Sequence, residues 1–255
     1  MKASFGRICA LIKRNFKEIL RDPLSLAFML AMPLGMELLF YFIFHGQSAQ
    51  FEMKYLAPGI VAFSQSFLSL FSGLLIALDR SSAFLTRLYV SKAKSSEFIM
   101  GYAFALFPIA LAQSIIFFLV GGIIDPSIFG IEMLYSVFLS LIPATFFIGT
   151  GILLGSLCNE RSIGGVASIV IAGQSMLSCM WFPPESLGKG MLTVMRVLPF
   201  KNAAELLQKG FLGYTDFFHE FWQPLLILLA YTMVIFVLVS HLLPQFSKLT
   251  LKAMV

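Results

Sequence analysis

An all-α integral membrane fold with six transmembrane helices follows from three features of the 255-residue chain; an amphipathic interfacial helix ahead of them and a short cytoplasmic helix between two of them are expected from the patterns of residues 1–23 and 79–98. Its mean hydropathy is +0.88. Only 12% of its residues are charged against 58% hydrophobic, whereas a soluble domain is about a quarter charged. The charges fall between apolar runs of roughly 20 residues, the length that crosses a hydrocarbon core about 30 Å thick. No alternating pattern predicts a barrel and no fixed-period repeat is present. A cytoplasmic interfacial helix over 1–23 and one membrane domain over 24–255 account for the length.

The N-terminal MKASFGRICALIKRNFKEILRDP does not read as a signal peptide, because charges interrupt it every three or four residues and no small-residue cleavage site follows an apolar run. On a wheel of about 100° per residue, Phe5, Ile8, Cys9, Ile12, Phe16, Ile19 and Leu20 share one sector. Arg7, Lys13, Arg14, Lys17, Glu18 and Arg21 oppose them, and Leu11 and Asn15 blur the division. Such a helix lies in the membrane surface, its apolar side in the acyl boundary and its cations near anionic headgroups. Asp22-Pro23 ends it before the first span. A topogenic anchor and a partner contact are both open readings.

Apolar runs between charges place spans at 24–44, 56–78, 99–124, 133–157, 163–183 and 223–243. Lys and Arg set their orientation. Residues 1–23, 79–98, 158–162 and the C-terminal tail hold thirteen of the eighteen; Lys54 and four in 184–222 lie on the other side. Both termini are therefore expected in the cytoplasm, with an even number of spans. The Gly/Pro-punctuated stretch 184–222, with apolar runs at Met191 to Leu198 and Ala203 to Leu207, is expected to re-enter the membrane or lie on its outer surface. Trp181 and Trp222 bracket it as interfacial anchors.

Cys9, Cys158 and Cys179 are odd in number, lack CxxC spacing and have no nearby histidine, so they read as reduced, packed thiols. The surplus of five positive charges is explained by topology, without nucleic acid. Glu37 is the one acid well inside a span, at a cost of about 2.5–3.5 kcal/mol on insertion scales; it either lines a pathway or is a buried structural acid. Gln65, Gln113 and Gln174 are further polar groups at membrane depth, suited to interhelical hydrogen bonds or to a pathway. Gly149, Gly151 and Gly155 permit close helix contact. Gly173-Gln-Ser175 has no histidine placed beside its serine, since His45, His219 and His241 fall at span ends or loops, so hydrolase chemistry is not expected. Gly188-Lys189-Gly190 lacks the first glycine and the hydroxyl of a phosphate-binding loop.

The loop 79–98 is too long and too patterned for a turn. Phe84, Leu85, Leu88 and Tyr89 have helical spacing, flanked by Arg80 and Arg87. Arg80, Leu85, Arg87, Leu88, Val90, Ser91, Glu97 and Gly101 match in order the loop of ABC export permeases of the second type. Ala83-Phe84, Thr86 and Lys92 stand where that family has Gly-Thr, Glu and Pro. The resemblance continues through Gly149-Thr-Gly-Ile-Leu-Leu-Gly155, Asn159-Glu160-Arg161, Phe182-Pro183-Pro184-Glu185-Ser186-Leu187 and Leu198-Pro199-Phe200, without the family's asparagine in that last turn. The chain thus resembles the membrane subunit of ABC-2-type exporters over nearly its whole length.

The resemblance implies a permease without catalytic residues of its own, paired with a like subunit or a paralogue, in a bacterial-type cytoplasmic membrane. A separate ABC ATP-binding subunit would hold ATP and Mg, and the loop would couple it to the spans through Arg80, Phe84, Leu85, Arg87, Leu88 and Glu97. The expected cargo is a hydrophobic or amphipathic solute, with drug, lipid and glycan classes open. An ion-coupled carrier, resting on Glu37, and a non-transport assembly factor are the alternatives.

Overall fold

The computed structural model describes residues 2–82, 84, 95–182, 187–213 and 221–253. Among them there are helices and no strands. In chain order these are α1 Lys2–Leu20, α2 Pro23–Phe44, α3 Met53–Ser81, α4 Ser95–Ile124, α5 Ile131–Leu139, α6 Leu141–Leu157, α7 Glu160–Leu177, α8 Lys189–Val197, α9 Pro199–Phe211 and α10 Trp222–Ala253. Short 3-10 turns at Ala49–Phe51 and Pro126–Ile128 join α2 to α3 and α4 to α5.

The helix boundaries follow local chemistry. Asp22 caps α2 by accepting from the Ser25 N–H at 3.1 Å, with Pro23 in the first turn, where a missing N–H costs nothing. Asn159 caps α7 by accepting from the Ser162 N–H at 3.0 Å. Pro143 cannot donate to the carbonyl four residues before it, and the helix 131–157 breaks at Ser140, just upstream, into α5 and α6.

Among the described residues, five helices are long and apolar enough to cross a membrane: Pro23–Phe44, Met53–Ser81, Ser96–Ile124, Ile131–Leu157 and Trp222–Leu242. The expected sixth span, 163–183, does not join them. Its helix ends at Leu177, and Ser162, Gly164, Gly165, Ser168, Gly173 and Gln174 dilute its hydropathy. At 1.5 Å per residue its 18 residues reach about 27 Å. It nonetheless runs the depth of the bundle: its first residue, Glu160, accepts from Ser81 Oγ at 3.2 Å. Beyond its far end, the Trp181 ring stacks 4.1 Å from Phe40.

α3 is the central post. It packs against α6, α7, α4, α9 and α2 and is buried along nearly its whole length. Small residues make this possible. Ser64, Ser66, Ser69 and Ser72 return their hydroxyls to carbonyls three or four residues back, so they add no unpaired donors to the seams. Ser72 also donates across to the Ile148 carbonyl of α6 at 3.1 Å. The Gly155 backbone crosses α3 so closely that an added Cβ would stand 2.3 Å from the Gly73 carbonyl oxygen. α2 and α10, by contrast, turn Leu24, Phe28, Phe42, Leu226, Met233 and Val237 outward. In water such faces would be liabilities; in a bilayer they are the lipid boundary.

The stretch predicted to re-enter or lie on the surface contains α8 and α9, of 9 and 13 residues, each too short to cross. α9 buries Ala203, Ala204, Leu206 and Leu207 completely and packs against α3, α5 and α10. The Gln208 side-chain amide donates to the Tyr55 carbonyl at 3.1 Å, and Phe211 stacks on Phe118 at 5.3 Å. This places α9 at the end of the bundle opposite α1. α10 returns to the α1 end, where Val239 lines a groove with Ile99 and Ile152.

Candidate functional site

At the α1 end, α3 ends in Asp79-Arg80-Ser81 and α4 begins with Ser95-Ser96-Glu97. The loop that the sequence marks for coupling leaves and returns through these residues. Leu85, Arg87 and Leu88 lie outside the described residues. Arg80, Phe84 and Glu97 are placed.

Arg80 reaches across to the C-terminus of α6, donating to the carbonyls of Gly155 at 3.1 Å and Cys158 at 3.3 Å, and to that of Ser156. The last carbonyls of a helix have no partners within it and carry partial negative charge, so a guanidinium satisfies both needs. The start of the loop is thereby tied to the α6–α7 turn, a tie strengthened by Ser81 on Glu160.

Glu97, 3% exposed at its side chain, takes a two-point ion pair from Arg7 of α1, Nε to Oε2 and Nη2 to Oε1, both at 2.8 Å. Ser4 Oγ adds a bond to Oε1. Two turns along α1, Arg14 grips Asp79 at both carboxylate oxygens, with Nη2 to Oδ1 at 2.6 Å. Tyr102 of α4 donates its hydroxyl to Asp79 Oδ2 at 2.6 Å. The Arg14 guanidinium also lies 4.4 Å from the centre of the Phe84 ring, an attractive cation–π distance. Hydrogen bonding by Glu97 raises the already high pKa of Arg7. For Arg14, burial works against the charge, but Asp79 overrides it and the net shift is upward. Both arginines stay charged.

α1 therefore bridges the two ends of the loop. The wheel divided α1 differently. Its docked stripe is Ser4, Arg7, Leu11, Arg14, Asn15 and Ile19, and includes both residues that blurred the amphipathic division. A Cβ at Gly101 would meet the Leu11 Cβ at 2.7 Å, and Asn15 is 1% exposed. Phe5 and Leu20, by contrast, face outward at 70% and 51% exposure. Two cations expected near headgroups are instead held by carboxylates, because a partly buried ion pair outweighs a solvated charge only where both partners are fixed. Asp79, Tyr102, Arg7 and Arg14 were not singled out from the sequence as site residues. The available signal was two acids flanking a loop whose neighbouring helix is basic.

The polar residues at depth separate into two kinds. Gln65 donates to Ser114 Oγ at 3.3 Å and Gln113 to the Ser64 carbonyl at 3.3 Å, both bonds crossing the α3–α4 seam. Ser114 continues to Ser140 at 2.8 Å. Gln174 is fully buried on α7 with no partner for its amide among the described residues. Glu37 is also fully buried, neither oxygen has a partner among the described residues, and Oε1 would stand 3.3 Å from a Cβ at Gly121. Gln65 and Gln113 thus share the α3–α4 seam, and among the described residues Glu37 and Gln174 have no hydrogen bond to either of them. Ser175, weighed as a nucleophile, accepts from the Trp181 indole N–H at 3.0 Å. Among the described residues no cluster of three His, Cys, Asp or Glu side chains is placed to hold a metal.

The family model of the ABC-2 type transporter matches residues 6–212, a span that includes most of α1, the loop and α9. The chain belongs to the ABC-2 type transporter family. No curated protein matches it. As an ABC-2 membrane subunit it is a permease component of a transporter and a multi-pass membrane protein, and the loop between α3 and α4, clamped by α1, lies wholly inside the matched region.

Proposed function

We propose that this permease is the membrane half of an ATP-driven exporter. In this reading a separate ATP-binding subunit, carrying ATP and Mg, docks beneath the α1 end, and a second permease, identical or paralogous, completes the pathway for a hydrophobic or amphipathic solute. The bundle sits in a cytoplasmic membrane with both termini and the 79–98 loop on the ATP side, as the thirteen-to-five division of cations favours.

The observation that supports this most is the clamp. Asp79 and Glu97 bind α1, and Arg80 binds the α6–α7 turn, so one displacement of the loop is transmitted to α1, α3, α4, α6 and α7 together. A loop serving only as a connection has no use for buried ion pairs at both ends. The ion-coupled alternative rests on Glu37 alone, and a chain of acids or histidines through the membrane is the usual requirement of that mechanism.

Affinity purification of the chain from gently solubilised native membranes tests the reading. The expected result is co-recovery of a stoichiometric ATP-binding subunit with vanadate-sensitive hydrolysis, lost on Leu88→Asp or Arg87→Glu while the permease still elutes as a folded species. Recovery of the permease alone across several detergents would overturn it.

A further inference from the structure

Of the five cations at the end opposite α1, Arg196 and Lys201 line one cavity where α8, α9 and α10 meet, and Lys209 joins Lys201 on Glu205. We propose that this junction binds the anionic headgroup, phosphate or carboxylate, of an amphiphile in the adjoining leaflet.

A cavity of about 220 Å³ opens there, lined by Arg196, Lys201, Asn202, Glu205, Gln223 and Pro224. Its walls are fixed. Asn202, 3% exposed, donates its amide to the carbonyls of Arg196 at 2.9 Å and of Leu198, locking the end of α8 to the start of α9. Glu205 is shared by Lys201 and Lys209, one turn before and one turn after it on α9, the second at 2.8 Å. Burial works to raise the Glu205 carboxyl, but the hydrogen bonds of the two lysines outweigh it and hold it below the usual carboxylate range. Glu205 is therefore ionised and doubly neutralised. Arg196, in the last turn of α8, is exposed and has no carboxylate among the described residues. The cavity wall thus carries one lysine, one acid already claimed by that lysine and by Lys209 outside the wall, and one guanidinium ready for a planar, two-point anion contact.

What lies beside the cavity identifies the ligand as an amphiphile. Trp222 adjoins Gln223 on the first turn of α10 and is half exposed at 48%, the setting of an indole at headgroup depth. From it an outward apolar stripe descends α10 through Leu226, Leu229, Met233 and Val237, at the three- and four-residue spacing of one helix face. A head seated on Arg196 and Lys201 leaves its acyl chains along this stripe.

Trp181 and Trp222 are the chain's two tryptophans, so Trp181→Phe, which keeps an aromatic ring against Phe40, leaves Trp222 as sole reporter beside the cavity. In this background the intact permease is titrated with acyl-brominated phosphatidylglycerol or phosphatidylcholine in mixed micelles, reading Trp222 quenching. The expected result is a preference for the anionic lipid that falls roughly tenfold in Arg196→Gln, the change one charge-assisted hydrogen bond confers. The preference should survive Lys189→Gln, the same charge change on the same surface but outside the cavity. Lys201→Gln is the second variant, should Arg196→Gln not fold, and its expected direction is the same. Equal quenching by both lipids, or an equal loss in Lys189→Gln, would overturn the proposal in favour of diffuse surface charge. Displacement of the anionic lipid by inorganic phosphate at matched ionic strength would show a free-anion site and overturn the assignment to an amphiphile.

Discussion

Removing the Arg14 guanidinium is the sharpest test of the α1 clamp. In Arg14→Gln, Asp79 stays 3% exposed at its side chain and keeps only the Tyr102 hydroxyl at 2.6 Å among the partners described for it. Breaking a buried ion pair by deleting one partner costs about 3–5 kcal/mol, because the other charge is left uncompensated. Arg14 is 32% exposed, so solvent screens part of the pair, and Tyr102 retains part of the carboxylate's bonding. The expected cost is therefore about 2–3 kcal/mol, which includes the contact with Phe84. If that energy holds α1 in place, its local opening becomes roughly 30- to 150-fold more frequent at 1.4 kcal/mol per decade. Hydrogen–deuterium exchange of α1 peptides in detergent reads this directly. Asp79→Asn should open α1 less, since the freed arginine can reach water. The double variant should be milder than the two singles added, by about 1.5 kcal/mol or more. Lys17→Gln, an exposed change on the same helix, should leave exchange unaltered. Unchanged exchange in Arg14→Gln, or strict additivity in the double variant, would refute the clamp.

Two further expectations concern the bundle itself. Gly155→Ala places a Cβ 2.3 Å from the Gly73 carbonyl oxygen, so α3 and α6 must part; overpacking of this kind costs about 1–3 kcal/mol, lowering the thermal midpoint by about 2–4 °C for each. Gly164→Ala, which meets nothing within 4 Å, should be neutral, and equal midpoints for the two variants would contradict the close α3–α6 contact. At Glu37 the buried carboxyl lacks a described partner, so Glu37→Leu should raise stability by about 1–3 kcal/mol, and Glu37→Gln should keep export in a reconstituted complex. A destabilised leucine variant would reveal a hidden partner; complete loss of export in a well-expressed glutamine variant would place Glu37 in the pathway.

Much of the membrane architecture was legible because bilayer thickness imposes a length. Five of six expected spans appear within a few residues of their positions. The sixth did not meet the same measure, because Gly164, Gly165, Ser168 and Gln174 trade hydropathy for other uses. Arg80 and Glu97 were picked out by their order in a family-like loop, and the structure gives both defined partners. Their partners were less accessible: Arg7 and Arg14 are ninety and sixty-five residues from the carboxylates they hold. A helical wheel sorts residues by polarity and assigns such cations to solvent or headgroups.

Composition and the spacing of charges determined that this chain is an all-α membrane protein, how its runs are divided and which loop carries a permease-like pattern. These are local properties, fixed by hydropathy and by the cost of placing charge in hydrocarbon. Tertiary structure alone decided that α1 docks on its Leu11–Asn15 stripe, that α3 is the central post, and that Arg196 and Lys201 share a cavity with Gln223. Those outcomes depend on which distant side chains meet, and a buried ion pair or a glycine-to-glycine crossing is defined only once two helices have chosen a common face.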